Sequence, residues 1–172
     1  MSGAVTLEAL NAAAPAEFVA TLAGIFEHSP WVAEGAAGAR PFASRATLLD
    51  AMVAVVLAAP RPQKLGLIRA HPDLAGRLAA GDALTVSSTA EQASAGLDQC
   101  SPEELARFQA LNEAYKAKFG FPFVMAVKGR GRREILAAFE RRLANDESAE
   151  FDAALAEIAE IARLRLTGLV EG

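Results

Sequence analysis

Ala70-His71-Pro72-Asp73-Leu74-Ala75-Gly76 is the stretch around which the rest of the sequence is organised, and it holds one of only two histidines. A proline disfavours the α conformation in the residue before it, so the helix predicted through Leu65 to Ala70 should end at about His71. Carbonyl groups at a helix C-terminus favour the imidazolium, whereas burial favours the neutral ring. His71 can therefore exchange a proton near neutral pH, or it can simply cap the helix before it.

Composition indicates one helical domain spanning residues 1–172. The chain is 52% hydrophobic and 22% charged, and its many alanines favour helix. Its net charge of −4 comes from interspersed acidic and basic residues, which argues against a nucleic-acid or anionic-membrane partner. The absence of a signal-peptide pattern and of an apolar run long enough to span a membrane leads us to expect a cytoplasmic protein.

Metal and disulfide chemistry are not expected. Cys100 is the only cysteine, so an intramolecular disulfide or a multi-cysteine zinc site cannot form. The two histidines, His28 and His71, are too few to supply a typical soft-ligand site.

Capping signals divide the chain into about eight or nine helices, which gives an all-α fold class. Pro15 is suited to start a helix that continues to His28, and Ser29 and Ser44 are placed to cap the next two. Asp73 can cap a short helix that ends at Gly81. The remaining boundaries are a capping box at Ser101 and Glu104, a left-handed helix end at Gly120, and two further helices, one through residues 135–143 and one that follows a turn at residues 145–148.

A second polar cluster lies in Ser88-Thr89-Ala90-Glu91-Gln92. Ser88 and Glu91 have the spacing of a capping box, which would place a helix start at Ser88. Glu91 and Gln92 at such a start also offer an acid, an amide and free backbone N–H groups to a small polar ligand. Both interpretations stay open on the sequence alone.

Two further features admit a structural or a ligand-binding role. Phe121 to Val127 is too apolar for a surface loop and is interrupted by Pro122, so we expect buried extended backbone whose N–H groups bind another loop, water or a ligand. Arg165 continues the apolar stripe that includes Ile158 and Ala162 on the last helix. A buried arginine needs an anion, which is either a core carboxylate or a substrate carboxylate.

Five motifs follow one another along the chain, namely Ser29-Pro30-Trp31-Val32, His71 to Gly76, Ser88-x-x-Glu91-Gln92, Lys118 to Val124 and Leu164-Arg165-Leu166. Each motif is weak by itself, and their order and spacing carry a resemblance. Taken together, they resemble one family, that of 2-oxo-4-hydroxy-4-carboxy-5-ureidoimidazoline (OHCU) decarboxylase, over about Leu7 to Leu169. This enzyme is the last in the conversion of urate to (S)-allantoin.

The resemblance implies a role for each candidate residue. His71 matches the family's catalytic histidine and Glu91 its second essential polar residue. The fold implied is all-helical, the activity is a decarboxylation without metal or organic cofactor, and the partners are a small-molecule substrate and a second copy in a homodimer. The implied substrate contacts are Pro72, Ser88, Thr89, Ala90, Gln92, Phe123, Val124, Met125, Ala126, Val127 and Arg165.

Two other functions remain compatible with the sequence. One is a non-catalytic helical module that binds a ureide or a protein partner, and the other is an enzyme of the same fold that processes a different unstable α-hydroxy acid. The joint presence of His71, Glu91, Gln92 and Arg165 favours the decarboxylase over the binding module, because a degenerate relative is expected to have lost at least one of them.

Overall fold

The computed structural model describes residues 4–75 and 85–171, and helices dominate these ranges. The predicted all-α fold class is confirmed there, with nine α-helices and a single pair of two-residue strands. In chain order the helices are α1 (Leu7–Ala12), α2 (Pro15–Leu22), α3 (Trp31–Ala36), α4 (Arg45–Ala58), α5 (Arg61–Arg69), α6 (Val86–Ser94), α7 (Pro102–Phe119), α8 (Arg132–Leu143) and α9 (Glu147–Leu169).

The chain divides into two units. The first comprises Met1–Ala70 with Ala159–Gly172, and the second comprises His71–Ile158, so α9 contributes to both. In the first unit β1 (Val5–Thr6) pairs in parallel with β2 (Val170–Glu171). This pairing joins the two ends of the described chain.

The first unit is built around buried side chains of α2 and α4. Phe18, Leu48 and Met52 are fully enclosed, and the Phe18 ring stacks on Phe42 with 6.4 Å between centroids. Arg40 packs against the same cluster, with its guanidinium 4.7 Å from the centre of the Phe18 ring. Burial of such apolar surface is the main source of stability in a helical unit.

The second unit is centred on a cluster of aromatic rings. Tyr115 lies in the middle of it, with its ring centroid 4.5 to 6.0 Å from four phenylalanine rings. Contacts of this kind, stacked or edge-to-face, are those that aromatic pairs favour. The four rings belong to Phe119, Phe121, Phe123 and Phe139.

Most helix boundaries follow the predicted local signals. The Ser44 side chain accepts a hydrogen bond from the Thr47 N–H group at the start of α4, and Ser101 forms the predicted capping box with Glu104 at the start of α7. Gly120 ends α7 with φ of 80°, the left-handed conformation that glycine adopts at no steric cost. The predicted end of a helix just before His71 is also confirmed, because α5 ends at Arg69.

Two predicted boundaries are wrong. The second helix ends at Leu22 rather than at His28, whose φ of 48° cannot continue a right-handed helix. Ser29 does not cap α3, because its hydroxyl donates to the Glu27 carbonyl at 2.9 Å and Pro30 takes the cap position. The short helix predicted to end at Gly81 lies outside the described residues.

No single helix in the described ranges is both long and apolar enough to span a membrane. The pair α4 and α5, which meet at a bend of 117°, meets that test of length and composition only when the two are taken together.

Candidate active site

His71 opens the second unit, directly after α5, and only 7% of its surface is exposed. The loop that follows it is also largely enclosed, with Leu74 and Ala75 buried. Ala75 has φ of 64°, which is uncommon for a residue other than glycine and costs about 1 kcal/mol or more. A loop of this kind needs support from the surrounding side chains.

Gln92 on α6 provides part of that support. Its Oε1 atom accepts a hydrogen bond from the Ala75 N–H group at 2.9 Å, and its Nε2 atom donates to the Asp73 carbonyl at 3.4 Å. Gln92 is itself buried, with 3% of its surface exposed. An amide side chain has two donor hydrogens and two acceptor positions, so one of each remains after these two bonds.

Residues of α7 hold the same loop from a second direction. The Asn112 Nδ2 atom donates to the Leu74 carbonyl at 3.0 Å, and the Lys116 ammonium lies 2.7 Å from the Asp73 carboxylate. Asn112 is buried, and its Oδ1 atom has no hydrogen-bond partner within the described part of the chain. The loop after His71 is therefore bound through both its backbone and its side chains.

The polar cluster on α6 lies inside the helix rather than at its start. Thr85 is the N-cap, and its hydroxyl accepts from the Ser88 N–H group at 3.1 Å. The predicted capping box at Ser88 and Glu91 is therefore wrong, because Ser88 is already the third residue of the helix. Residues three and four positions apart share a helix face, so Ser88, Glu91 and Gln92 lie on the same side of α6.

Thr89 and Ala90 differ from their neighbours on α6 because both are exposed. The Thr89 N–H group is bonded to the Thr85 carbonyl at 2.9 Å, so it is not one of the free amides of the helix start. Pro72, beside His71, is half-buried. Contact between these three residues and a substrate stays a prediction.

The segment from Phe121 to Val127, referred to below as the extended segment after its predicted conformation, is buried throughout and forms neither helix nor strand, which confirms its predicted burial. Within the described ranges none of the N–H groups of its last five residues, Phe123 to Val127, donates a hydrogen bond. Two of its carbonyls are bound, that of Val127 by the Arg130 N–H group at 3.0 Å and that of Val124 by Arg142 at 2.6 Å. Buried backbone donors are rarely left unpaired in proteins, and the binding of a ligand by this segment stays a prediction.

Arg142 belongs to a buried polar network that sequence reasoning missed. The Glu150 carboxylate, fully enclosed, accepts hydrogen bonds from Tyr115 at 2.6 Å, from Arg142 at 2.9 Å and from Asn145 at 2.9 Å. Two causes raise the pKa of the Tyr115 phenol far above its ordinary value. The larger is burial, and the next is the hydrogen bond to Glu150. The phenol therefore stays protonated and remains a donor to Glu150.

Arg165 lies in the first unit and has a core carboxylate as its partner. Its Nη2 atom lies 3.2 Å from Glu27 Oε2, and its Nη1 atom donates to the Gly24 carbonyl at 3.0 Å. Both side chains are enclosed, with 5% of Arg165 and 2% of Glu27 exposed. Of the two partners open on sequence, the structure provides the core carboxylate, and a substrate contact stays a prediction.

The other candidate residues all belong to the second unit. There the hydrogen bonds connect the loop after His71 to α6 through Gln92, and they connect the extended segment to α8 through Arg142. Within the described residues no group of three or more histidine, cysteine, aspartate or glutamate side chains is arranged to hold a metal ion. The second unit therefore contains an imidazole, a carboxylate and a row of backbone N–H groups, which are the kinds of group that bind small polar ligands.

Comparison with known proteins identifies the class to which this chain belongs. Residues 11–167 match the family model described as OHCU decarboxylase. A Haloferax volcanii protein named 2-oxo-4-hydroxy-4-carboxy-5-ureidoimidazoline decarboxylase is 49% identical over 94% of both chains. A protein of the same name from Halalkalicoccus jeotgali is 44% identical over 96% of this chain and 92% of its own. The chain belongs to the OHCU decarboxylase family.

A solved structure supports the same assignment. The crystal structure of (S)-allantoin synthase superposes with a TM-score of 0.77 and 32% identity, covering 96% of this chain and 54% of the other. The uric acid degradation bifunctional protein PucL of Bacillus subtilis is 41% identical over 96% of this chain, although the match covers only 33% of that protein. The family resemblance noted on the sequence is therefore confirmed.

Proposed function

We propose that this protein decarboxylates OHCU to (S)-allantoin in urate degradation. The observation that carries the proposal is the buried His71 on a loop fixed by Gln92 and Asn112. The same unit holds a buried segment in which five backbone N–H groups donate no hydrogen bond to any described residue. Family membership and the printed names of the relatives support the choice of substrate.

The proposed reaction needs no external electron acceptor. In OHCU the carbon that bears the carboxylate adjoins a carbon–nitrogen double bond. When the carbon–carbon bond to the carboxylate breaks, carbon dioxide leaves and the electron pair moves onto that double bond. The product of this step is an enol. Its hydroxyl then loses a proton to become a carbonyl, and a proton is delivered to one face of the adjacent carbon, which bears the ureido group, so that a single enantiomer of allantoin forms.

The candidate residues divide these tasks between them. His71 and Glu91 would hold and move protons at the ring hydroxyl and at the reacting carbon, since imidazole and carboxylate side chains are the usual general acids and bases of enzymes. The N–H groups of Phe123 to Val127 would orient the ureido and ring carbonyl groups, and Gln92 would add its remaining donor and acceptor. Arg165 is proposed to anchor negative charge in addition to its pairing with Glu27.

Further properties are proposed from the family resemblance. We infer a carboxy-lyase that works without metal or organic cofactor, in the cytoplasm, as a homodimer. Activity that survives exhaustive dialysis against a chelator would support the first point. Light scattering coupled to gel filtration would test whether the protein is a homodimer.

Spontaneous decay of OHCU gives racemic allantoin, so the test follows the handedness of the product. The substrate is generated in solution from urate, and circular dichroism of the allantoin is recorded with and without the protein. A rapid signal of one sign is expected with the protein present. A slow racemic product in both samples would reject the decarboxylase and favour the ureide-binding module, whereas activity on another α-hydroxy acid in a parallel panel would reassign the substrate.

A further inference from the structure

Arg142, which belongs to the buried network with Tyr115 and Glu150, contacts the extended segment at two points. Arg142 Nη1 donates to the Val124 carbonyl at 2.6 Å, and the guanidinium lies 4.4 Å from the centre of the Phe123 ring. The side chain of Arg142 is 12% exposed and that of Glu150 is fully buried. Neither the sequence motifs nor the proposed mechanism assigns a role to this network.

Stability alone is a poor explanation for these charges. The free energy needed to remove two ionic groups from water is often larger than the free energy gained from their mutual attraction. A buried ion pair can therefore commonly be replaced by apolar side chains. Arg142 is also incompletely satisfied, because its Nη2 atom is buried and has no hydrogen-bond partner within the described residues. A network retained only for packing would not need to bind a main-chain carbonyl of the extended segment.

The bond to Val124 has a geometric consequence for the next residue. A peptide group is planar, and in the trans form the carbonyl of one residue and the N–H group of the next point in opposite directions. Fixing the Val124 carbonyl toward Arg142 therefore directs the Met125 N–H group away from Arg142. Met125 is one of the five residues whose N–H groups donate no hydrogen bond in the described ranges.

The orientation of Arg142 is in turn fixed by its neighbours. The guanidinium is a rigid planar fork, and its Nε atom donates to Glu150 at 2.9 Å. Glu150 is held by Tyr115 and by Asn145, one on each carboxylate oxygen. The chain of bonds runs from the aromatic cluster through Glu150 and Arg142 to the backbone of the segment.

We propose that Arg142, held by Glu150 and Tyr115, is a positioning residue that turns the Val124–Met125 peptide so that the Met125 N–H group faces the bound substrate. This inference rests on the proposed function for the identity of the ligand. It assigns Arg142 no contact with the reacting atoms.

The chain supplies a closely matched control. Arg132, on the same helix α8, makes the same pair of bonds, with Nε 3.0 Å from Glu104 Oε2 and Nη1 3.0 Å from the Gly96 carbonyl. Arg142→Met and Arg132→Met thus remove the same kinds of bonds, and only the first releases the extended segment. The pair of Arg142 and Glu150 is the more buried of the two, with side chains 12% and 0% exposed against 32% and 27% for Arg132 and Glu104.

Two readouts are measured on both variants. Hydrogen–deuterium exchange, followed by mass spectrometry of peptides covering residues 121–128, should accelerate about tenfold or more in Arg142→Met and remain unchanged in Arg132→Met. The kcat/KM for (S)-allantoin formation should fall about tenfold or more in Arg142→Met and stay near the wild-type value in Arg132→Met, both measured at a temperature at which thermal unfolding shows each variant to be folded. If Arg142→Met does not fold, Arg142→Lys serves instead, and it should give an intermediate effect because an ammonium cannot reproduce the fork.

Glu150→Gln separates geometry from charge. A glutamine oxygen can still accept from Tyr115 and Arg142, and the Asn145 amide can turn to offer its oxygen to the new NH₂ group. This variant should keep kcat/KM within about threefold of the wild-type value, which a requirement for the charge itself would not allow.

The outcomes distinguish this inference from the proposed function. Unchanged exchange at residues 121–128 in Arg142→Met, or equal effects of the two methionine variants on kcat/KM, would overturn the positioning role while leaving the decarboxylase intact. An inactive wild-type protein would reject the proposed function, and the exchange comparison would still decide whether Arg142 holds the segment.

Discussion

The single tyrosine of the chain, Tyr115, makes stability depend on pH in a way that can be isolated. Its phenol is fully buried and donates to Glu150 at 2.6 Å. Burial and this hydrogen bond raise its pKa in the folded protein, whereas in the unfolded chain it should ionise near its ordinary value of about 10. Because the pKa of Tyr115 is higher in the folded protein than in the unfolded chain, this residue contributes its full stabilisation below the unfolded pKa. The contribution is lost as pH rises from the unfolded pKa toward the folded one.

The size of the effect follows from the difference between the two states. At about pH 11 the unfolded tyrosine is roughly ten parts ionised to one part neutral, while the folded phenol remains protonated. The unfolded state therefore gains about 1.4 kcal/mol relative to pH 8 from this one group. Lysines also titrate in this range, so the quantity to measure is the difference between wild type and Tyr115→Phe.

Urea unfolding of both proteins between about pH 8 and pH 11 provides the assay. The stability advantage of wild type over Tyr115→Phe should shrink by about 1.4 kcal/mol across this range. The tyrosinate absorption band should appear only when the protein unfolds. A tyrosinate band that develops near pH 10 while the helical circular dichroism is intact would refute the buried bond between Tyr115 and Glu150.

Three further substitutions test other parts of the structure. Arg165→Met removes the guanidinium that lies 3.2 Å from the buried carboxylate of Glu27. Because breaking a buried ion pair is costly, it should lower the free energy of unfolding by about 3–5 kcal/mol in urea titrations, whereas a loss below about 1 kcal/mol would contradict the observed pairing. Ser101→Ala removes the N-cap of α7 and should cost about 1 kcal/mol in the same titration with kcat unchanged, so a large fall in kcat would contradict a purely local role. Gln92→Leu leaves the Ala75 N–H group and the Asp73 carbonyl without their partner and should cost about 1–3 kcal/mol together with a fall in kcat/KM; a fully active variant would show that this loop does not need the amide.

Features determined by local sequence could be predicted. Ser44, Ser101 and Gly120 act within one helical turn of their own position, so their roles followed from residue type and spacing. The N-cap predicted at Ser29 and the capping box predicted at Ser88 and Glu91 are both wrong because a neighbouring group competes. At Ser29 this group is the Glu27 carbonyl, and at Ser88 it is the hydroxyl of Thr85.

The candidate site was predictable where its residues carry an unusual local signal. His71 precedes a proline, and the segment from Phe121 to Val127 is apolar without the length of a helix, and each was found on that basis. Arg142 was missed although it continues the buried stripe of Ile135 and Phe139, the same argument that identified Arg165.

The partners of these residues were not predictable. Glu150 is far from Tyr115 in sequence, and an acidic residue in the first turn of a helix is usually a solvated neighbour of the helix dipole. Asn112 likewise reaches the loop after His71 across 38 positions of the chain. Such contacts are determined by how the helices pack, and a single sequence does not record them.

The most direct test of the account is the rate of (S)-allantoin formation by His71→Asn, measured by circular dichroism with OHCU generated from urate. Asparagine keeps a polar side chain at the buried position but cannot exchange a proton, so the enzymatic rate should fall about a hundredfold or more while the helical spectrum and the binding of (S)-allantoin persist. A variant that forms (S)-allantoin at the wild-type rate would contradict the assignment of His71 and with it the site described in the second unit.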